Sequence, residues 1–479
     1  MFSMKVACFF LLVIMCVGYP LSSRAQDSSL IKQPITDSLA RMALREIQVI
    51  GNQKTKTFII LREIPIKPGD SIQASRIYET LERSRFLIYN TNLFSEVNVY
   101  PVFVNGSEFN IFVMVRERWY IYPTPQFKLV DRNVNEWINI HNASFNRVTY
   151  GLKFAHYNFS GRADQLRVFL LNGFNRMLAV SYSNPYSNAK LTEGFGFTAS
   201  ITQSREVQYK TDNSNKLLRF TNDKYVRTEL LFRANYQLRR GYYRRHIFFA
   251  GYHHHDLNDS IKRPEFNPQY LNNGRNYGGF PFIGYTFQYI NTDNVNYPLT
   301  GKRYTATILK QGTGFTGGMN LLRIDAQYSK YTPFGKNWYG NWDFYGTVKA
   351  PFRTAYINQR AMGYQDFYMR GLENYVIDGY AAAIAKYTVK KKIVSFQIPL
   401  PWNIKSIPYI PFAFYAKTYA DIGWSENVSE LNNRLNNRFL YSGGIGIDII
   451  SLYDIFLQVE YSINPLGEKG LFLHTKTNF

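Results

Sequence analysis

Cysteine is nearly missing from this 479-residue chain, and both copies, Cys8 and Cys16, fall within its first 25 residues. That segment reads as a secretory signal. Lys5 gives a positive start and Ala7 to Val17 is an apolar stretch of h-region length. Ser23-Arg24-Ala25 then puts small residues at the two positions a signal peptidase reads, so cleavage is expected before Gln26. The stretch is shorter than the roughly 20 residues that a spanning helix needs, which disfavours an uncleaved anchor. Met15 before Cys16 is a poor fit to the small residue that precedes a lipoprotein cysteine. The remaining chain then holds no disulfide and no thiolate chemistry.

Long apolar runs are also missing beyond residue 25. This excludes a helical membrane protein but not one that crosses with strands. Acidic residues are scarce: 34 Asp and Glu stand against 56 Lys and Arg, a formal charge of +22, or +20 without Lys5 and Arg24. Such a balance suits nucleic acid. Yet the basic residues cluster little beyond Arg239-Arg240, Arg244-Arg245 and Lys390-Lys391-Lys392, and an exported chain rarely meets nucleic acid. A positively lined lumen, or loops facing anionic lipopolysaccharide and lipid, accounts better for the charge.

Catalytic signatures are missing as well. There is no G-x-S-x-G elbow, no P-loop and no dinucleotide fingerprint. Gly69-Asp70-Ser71 echoes an esterase motif but sits at an expected helix start, where Asp and Ser are ordinary caps. In His253-His254-His255, adjacent strand residues point to opposite faces. At most two therefore meet one metal, with only Asp256 nearby, and a polar loop is the simpler expectation. No enzymatic activity, metal or cofactor is expected.

What the chain does have is rings: 17% aromatic residues, with 38 Tyr and 37 Phe, a supply suited to the interfacial girdles of a membrane barrel. From residue 44 to 119 the pattern is a compact β-α-α-β-β unit. Leu44–Ile50 is a strand stopped by Gly51-Asn52, and Thr57–Glu63 a short helix. Asp70 is expected to cap a second helix with Gln73 reaching back, and Ile77, Leu81, Ser84 and Ile88 follow at helical spacing. Val97–Val104 and Phe109–Val115 form a hairpin about Asn105-Gly106.

From residue 120 to 479 the code changes to strands of about ten residues, oily on one face and polar on the other. It is clearest where Val226, Thr228, Leu230, Phe232, Ala234, Tyr236 and Leu238 interleave with Arg227, Glu229, Leu231, Arg233, Asn235, Gln237 and Arg239. At roughly 22 residues per strand and loop, about sixteen antiparallel strands are expected, closed into a transmembrane β-barrel. Residues 26 to 43 form a linker before the small α+β domain.

Several motifs resemble those of the BamA/TamA-type outer-membrane surface-antigen superfamily. Its members place a sixteen-stranded barrel behind one or more polypeptide-transport-associated (POTRA) domains. Gly51-Asn52, Lys67-Pro68-Gly69-Asp70 and Thr91-Asn92-Leu93-Phe94 fall in the POTRA order, once only. Asn158-Phe159-Ser160-Gly161 resembles the family's N-F-x-G turn. Asp293-Asn294-Val295-Asn296-Tyr297-Pro298-Leu299-Thr300-Gly301 resembles its D-N-x-x-Y-P-x-x-G segment. Met369-Arg370-Gly371 and Asp421-Ile422-Gly423 resemble the R-G motif of a loop folded into the lumen and the D-x-G wall motif that receives it. The resemblance implies an Arg370–Asp421 pair. Leu372 stands where the family has an aromatic, and Ser395 where a glutamate is expected to contact the loop arginine. Phe479 resembles the terminal aromatic of a barrel insertion signal, although Lys476 and Thr477 replace a second aromatic.

By resemblance, the expected function is outer-membrane protein assembly or polypeptide translocation. The POTRA domain, in the periplasm, captures unfolded outer-membrane or secreted clients and passes them to the barrel seam or pore. Outer-membrane lipid, lipopolysaccharide and other assembly subunits are further expected partners, and nucleic acid is not. A two-partner secretion pore and a non-catalytic subunit of a larger complex remain as alternatives. An outer-membrane hydrolase would require a triad or dyad that the sequence does not display.

Overall fold

A computed structural model describes residues 39–130, 144–272, 274–313, 319–364, 367–400, 407–428 and 433–476. The expected signal segment and Phe479 lie outside the described residues.

The N-terminal domain comprises β1 (Arg41–Ile50), α1 (Thr57–Leu61), β2 (Ser71–Gln73), α2 (Ile77–Tyr89), β3 (Phe94–Phe103) and β4 (Glu108–Glu117). Its sheet runs β2-β1-β4-β3, with β1 and β4 parallel and the other pairs antiparallel. Alternate residues of β4, from Phe109 to Val115, meet the helical stripe Ile77, Leu81 and Ile88 and close a core around Ile59, Ile60 and Phe94. Asp70 does not cap α2, whose N-terminal residue Arg76 makes no side-chain cap. Ser71–Gln73 instead forms a short edge strand on Arg41–Ala43, and Asp70 Oδ2 accepts the Lys67 amide at 2.8 Å, closing the turn before it. The ladder bonds of β2 take the place of a helical first turn there. The β3–β4 hairpin closes over four residues rather than the two of Asn105-Gly106. Asn105 Oδ1 accepts the Ser107 amide at 2.9 Å, and neither turn residue needs positive φ.

Sixteen antiparallel strands of the described chain follow in a single sheet with neighbours in chain order. They are β5 (Ile121–Leu129), β6 (Val148–Tyr157), β7 (Gln165–Gly173), β8 (Asn175–Asn184), β9 (Glu193–Ser204), β12 (Arg227–Arg240), β13 (Arg244–Leu257), β14 (Tyr277–Thr292), β15 (Gly301–Gln311), β16 (Leu321–Gly335), β17 (Trp338–Ala350), β20 (Ala381–Pro399), β21 (Tyr409–Glu426), β22 (Phe439–Ile450), β23 (Phe456–Ile463) and β24 (Lys469–Lys476). Two small hairpins, β10 (Glu206–Thr211) with β11 (Leu217–Thr221) and β18 (Arg360–Met362) with β19 (Ile377–Asp378), lie in loops at the far end, away from the N-terminal domain.

The alternation sorts the faces as expected. Phe232, Ile283 and Ile445 are 54%, 63% and 62% exposed on the outer wall, while Arg233 and Arg239 turn into the lumen. Tyr289, Tyr304, Tyr328 and Phe344 sit side by side in register on four successive strands, with adjacent ring centroids 4.6, 5.8 and 6.2 Å apart, as part of an aromatic belt. No helix among the described residues is long and apolar enough to cross a membrane. Among the described residues, no ladder joins β24 to β5.

Phe232→Arg puts a charge on the outer wall, and Leu231→Arg puts it in the lumen. Denaturant unfolding in lipid should show a loss of about 2–4 kcal/mol for the first and a much smaller loss for the second.

Candidate functional site: the lumen loop and the barrel rim

The segment between β17 and β20 folds back so that Arg370 reaches the inner wall. Its Nε lies 3.1 and 3.0 Å from the two Asp421 carboxylate oxygens, and Nη2 donates to Oδ1 as well. Its backbone N–H donates to Asp421 Oδ2 at 3.0 Å, Nη1 to Thr388 Oγ1 at 2.9 Å, and the guanidinium sits 3.9 Å from the Tyr419 ring centroid. Burial disfavours the Arg370 charge, but the Asp421 carboxylate more than offsets this and raises its pKa.

Two glycines explain their places in the motifs by close approach. Gly371 has φ +83°, and its O accepts Asn464 Nδ2 at 2.9 Å; a Cβ at Gly423 would stand 2.5 Å from Met369 Sδ. Leu372, where an aromatic was expected, is buried with Met369, Ile377, Ile384 and Leu440. Ser395 does not stand beside Arg370: it is exposed seven residues further along β20, and Thr388 is the β20 side chain that Arg370 reaches.

Below the loop, the inner wall carries a second buried charge cluster. Lys417 Nζ lies 2.5 Å from Asp448 Oδ1 and 2.6 Å from Glu460 Oε1, and Tyr297 OH donates to Asp448 Oδ2 at 2.7 Å. Tyr297 belongs to the rim turn between β14 and β15. In that turn Asp293 Oδ1 accepts the Leu299 and Thr300 amides at 3.0 and 3.1 Å; burial pushes its carboxyl pKa up against these bonds. Gly301, at φ +104°, lets the chain pass Asn291 O, which a Cβ would approach to 2.1 Å. Pro298 is half-buried in the same turn.

The rim turns also grip the N-terminal domain. Asn158, fully buried at φ +54°, donates to Thr55 Oγ1 at 2.9 Å, and Gly161 O accepts the Lys56 amide at 3.0 Å. Phe159 packs edge-on against His156. Asn294 Nδ2 donates to Asp454 Oδ1 at 2.9 Å, and Asn296 Nδ2 to Asn92 Oδ1 at 2.8 Å. Asp454 also accepts Arg118 Nη2 at 2.9 Å and the Tyr89 hydroxyl at 2.9 Å. Burial and then that carboxylate push the Tyr89 pKa up. Tyr453 and Asp454 both have positive φ, at 58° and 60°, a strained pair held in place by these contacts. On the other side, Glu63 forms a two-pronged pair with Arg239 (2.6 Å and 2.6 Å) joined by the Tyr186 hydroxyl at 3.1 Å, all deeply buried.

Residues 43–118 match the family model described as POTRA, surface antigen variable number repeat. The chain is similar in fold to the crystal structure of BamA from Haemophilus ducreyi lacking POTRA domains 1–3, at 14% identity over 91% of this chain and 84% of that one, with a TM-score of 0.50. The chain is a POTRA domain followed by a barrel of the BamA fold. One POTRA match is found in the chain. CdiB from Escherichia coli is similar at 12% identity over 91% and 74% of the two chains (TM-score 0.49), and CdiB from Acinetobacter baumannii at 13% over 90% and 73% (TM-score 0.46). No curated protein matches in sequence.

Within the POTRA domain, Gly51 at φ +97° passes Val115 O, and Asn52 Nδ2 donates to Thr55 O at 2.9 Å ahead of α1. Gly69 takes φ +92° in the turn before β2, and Leu93 and Phe94 are core residues. No local pattern marks Glu63, Tyr186, Arg118, Asp454, Lys417 or Asp448, because their partners lie far away in the chain. The three histidines, expected in a loop, lie on β13. His253 and His255 share the lumen face, with ring centroids 3.9 Å apart and His255 Nδ1 3.2 Å from Glu229 Oε1, so the nearby acid is Glu229 rather than Asp256. In this trio, and in Glu373, Glu460 and His474, the possible ligand atoms lie within 4.8 Å of one another, a donor set that suits a divalent transition metal.

Arg239→Ala strands the Glu63 carboxylate without its main partner at the POTRA–barrel junction. The expected loss is about 3–5 kcal/mol in unfolding, together with faster proteolysis near residues 117–121. Unchanged proteolysis would show that the ion pair does not hold the two parts together.

Proposed function

We propose that the chain is a non-enzymatic outer-membrane device that inserts or translocates polypeptides, with the POTRA domain on the periplasmic side. The observation that carries this reading is the docking of a POTRA sheet onto the rim of a barrel whose lumen is crossed by an anchored loop. The oily outer wall with its aromatic belt suits a bilayer, and the strand-to-strand ladder satisfies the peptide groups that lipid cannot.

β3 is an edge strand of the POTRA sheet, and an extended client can add to such an edge by main-chain pairing. Pro101 removes one donor from the outward side of β3, leaving Val97 and Val99 as the pairing stretch. Arg370, with Asp421 as its counter-charge, then sets whether the loop stays in the lumen. A guanidinium bound to a carboxylate through several bonds in a confined, poorly hydrated space makes a stable latch. A second reading, export of one dedicated polypeptide through the lumen, is favoured by the position of the loop, since a pore needs a plug where this loop lies.

Depletion followed by an outer-membrane proteome separates the readings: broad loss of barrels indicates assembly, and loss of a single secreted protein indicates export. Arg370→Ala should impair that function, or barrel folding, far more than Lys262→Ala on an exposed far-end turn. Equal phenotypes would remove the latch.

A further inference from the structure

The two edges of the barrel sheet differ in what they offer a partner. Toward β6, the main-chain bonds of β5 belong to even-numbered residues. Tyr157 donates to Tyr120 O at 2.8 Å, Val130 donates to Arg147 O at 3.0 Å, and the register is unbroken between Ile121↔His156 and Leu129↔Val148. Main-chain groups alternate sides along a strand, so the odd-numbered residues of β5 turn theirs toward β24. Two of these, at successive positions on that edge, are Pro123 and Pro125, and neither has an N–H.

β24 presents the opposite kind of edge. Asn464 donates to Glu468 O at 3.1 Å and the register to β23 is unbroken, so even-numbered residues of β24 bond to β23. Lys469, Leu471, Leu473 and Thr475 therefore present both N–H and C=O to the seam. One edge is blunted in its middle and the other is complete.

We propose that β24, and not β5, is the barrel edge to which an incoming polypeptide strand adds. The seam itself is weak for the same reason: along Pro123 and Pro125 a β5–β24 ladder has donors from one strand only. The occupant is an extended segment alternating apolar and polar residues. In the wall it would lie beside Leu471, 66% exposed on the oily face, and Leu473, while its other face follows Phe472 and His474 toward the lumen. This deepens the insertion reading above and depends on it only for the source of the strand.

The test uses the full chain, refolded in detergent, and a synthetic peptide with the sequence of residues 227–239 carrying photoreactive benzoylphenylalanine in place of Phe232. Cross-links mapped by mass spectrometry should favour residues 469–475 over 121–129 at least tenfold. Pro123→Thr with Pro125→Thr restores both donors, so β5 closes on β24 and labelling should fall at least fivefold. A check that needs no variant is amide exchange at Leu471 and Leu473, which the unlabelled peptide should slow about tenfold. Labelling of 121–129 equal to or above that of β24, no labelling or slowing at β24, or indifference of a folded proline variant would overturn the proposal. An intact edge preference with no proteome change on depletion would remove the assembly reading alone; a proteome change without the preference would remove only the edge assignment.

Discussion

A peptide group in hydrocarbon finds no water to bond, so each strand that enters a bilayer must spend its N–H and C=O groups on its neighbours. In this chain that requirement organises everything beyond residue 120. Sixteen strands pair in chain order, which leaves side chains alone to distinguish the two faces. Phe232 and Ile283 face outward, and Glu229 and Arg239 face inward. Part of the basic excess of the sequence thereby lies on the inner wall. Lys417, Arg370 and Arg239 are each buried, and each meets a carboxylate within the lumen or at its rim. Buried charges of this kind add little net stability over apolar packing, but breaking one pair is costly, so they favour one arrangement of loop and rim over others.

The short turns do more than connect strands. Asn158 and Gly161 on one side, and the Val295 amide and Asn296 on another, are spent on contacts with the POTRA domain. Glu63 reaches from the POTRA domain to Arg239 on the inner wall, and Arg118 reaches Asp454, whose backbone is held in a strained conformation. The POTRA domain is thus seated on the rim by buried polar contacts on opposite sides. Through Tyr297 and Asp448 the same rim turn touches the charge cluster below the lumen loop. A physical chain therefore runs from the POTRA helix α2 to the interior, each link a hydrogen bond or ion pair.

Much of this was legible in the residues. The two-residue period of Arg227 to Arg239 showed both the strand and its sidedness. The spacing Ile77, Leu81, Ser84, Ile88 showed α2, because each face buried by the fold leaves a periodic trace. The R-G and D-x-G motifs pointed to Arg370 and Asp421 as partners, and these residues meet in the structure. What the pattern hid was local competition. Ser71-Ile72-Gln73 looked like a helix start, but a free stretch of β1 at Arg41–Ala43 offered a ladder, and the ladder won. His253 and His255 looked like a loop because three adjacent histidines break the oily alternation. The strand tolerates them since two face the lumen.

By itself the sequence determined the class of wall: alternation, aromatic supply and the lack of any long apolar helix leave strands bonded to their neighbours in a barrel wall as the way to bury backbone polarity. It also determined that the edge strand β5 carries Pro123 and Pro125, since proline lacks its N–H in any fold. Only the tertiary structure decided which side of β5 those prolines face, because that depends on the register with β6. The same holds for the pairing of Glu63 with Arg239, 176 residues apart. A charge's partner is set by which strands the ring brings together, and no local pattern records that distance.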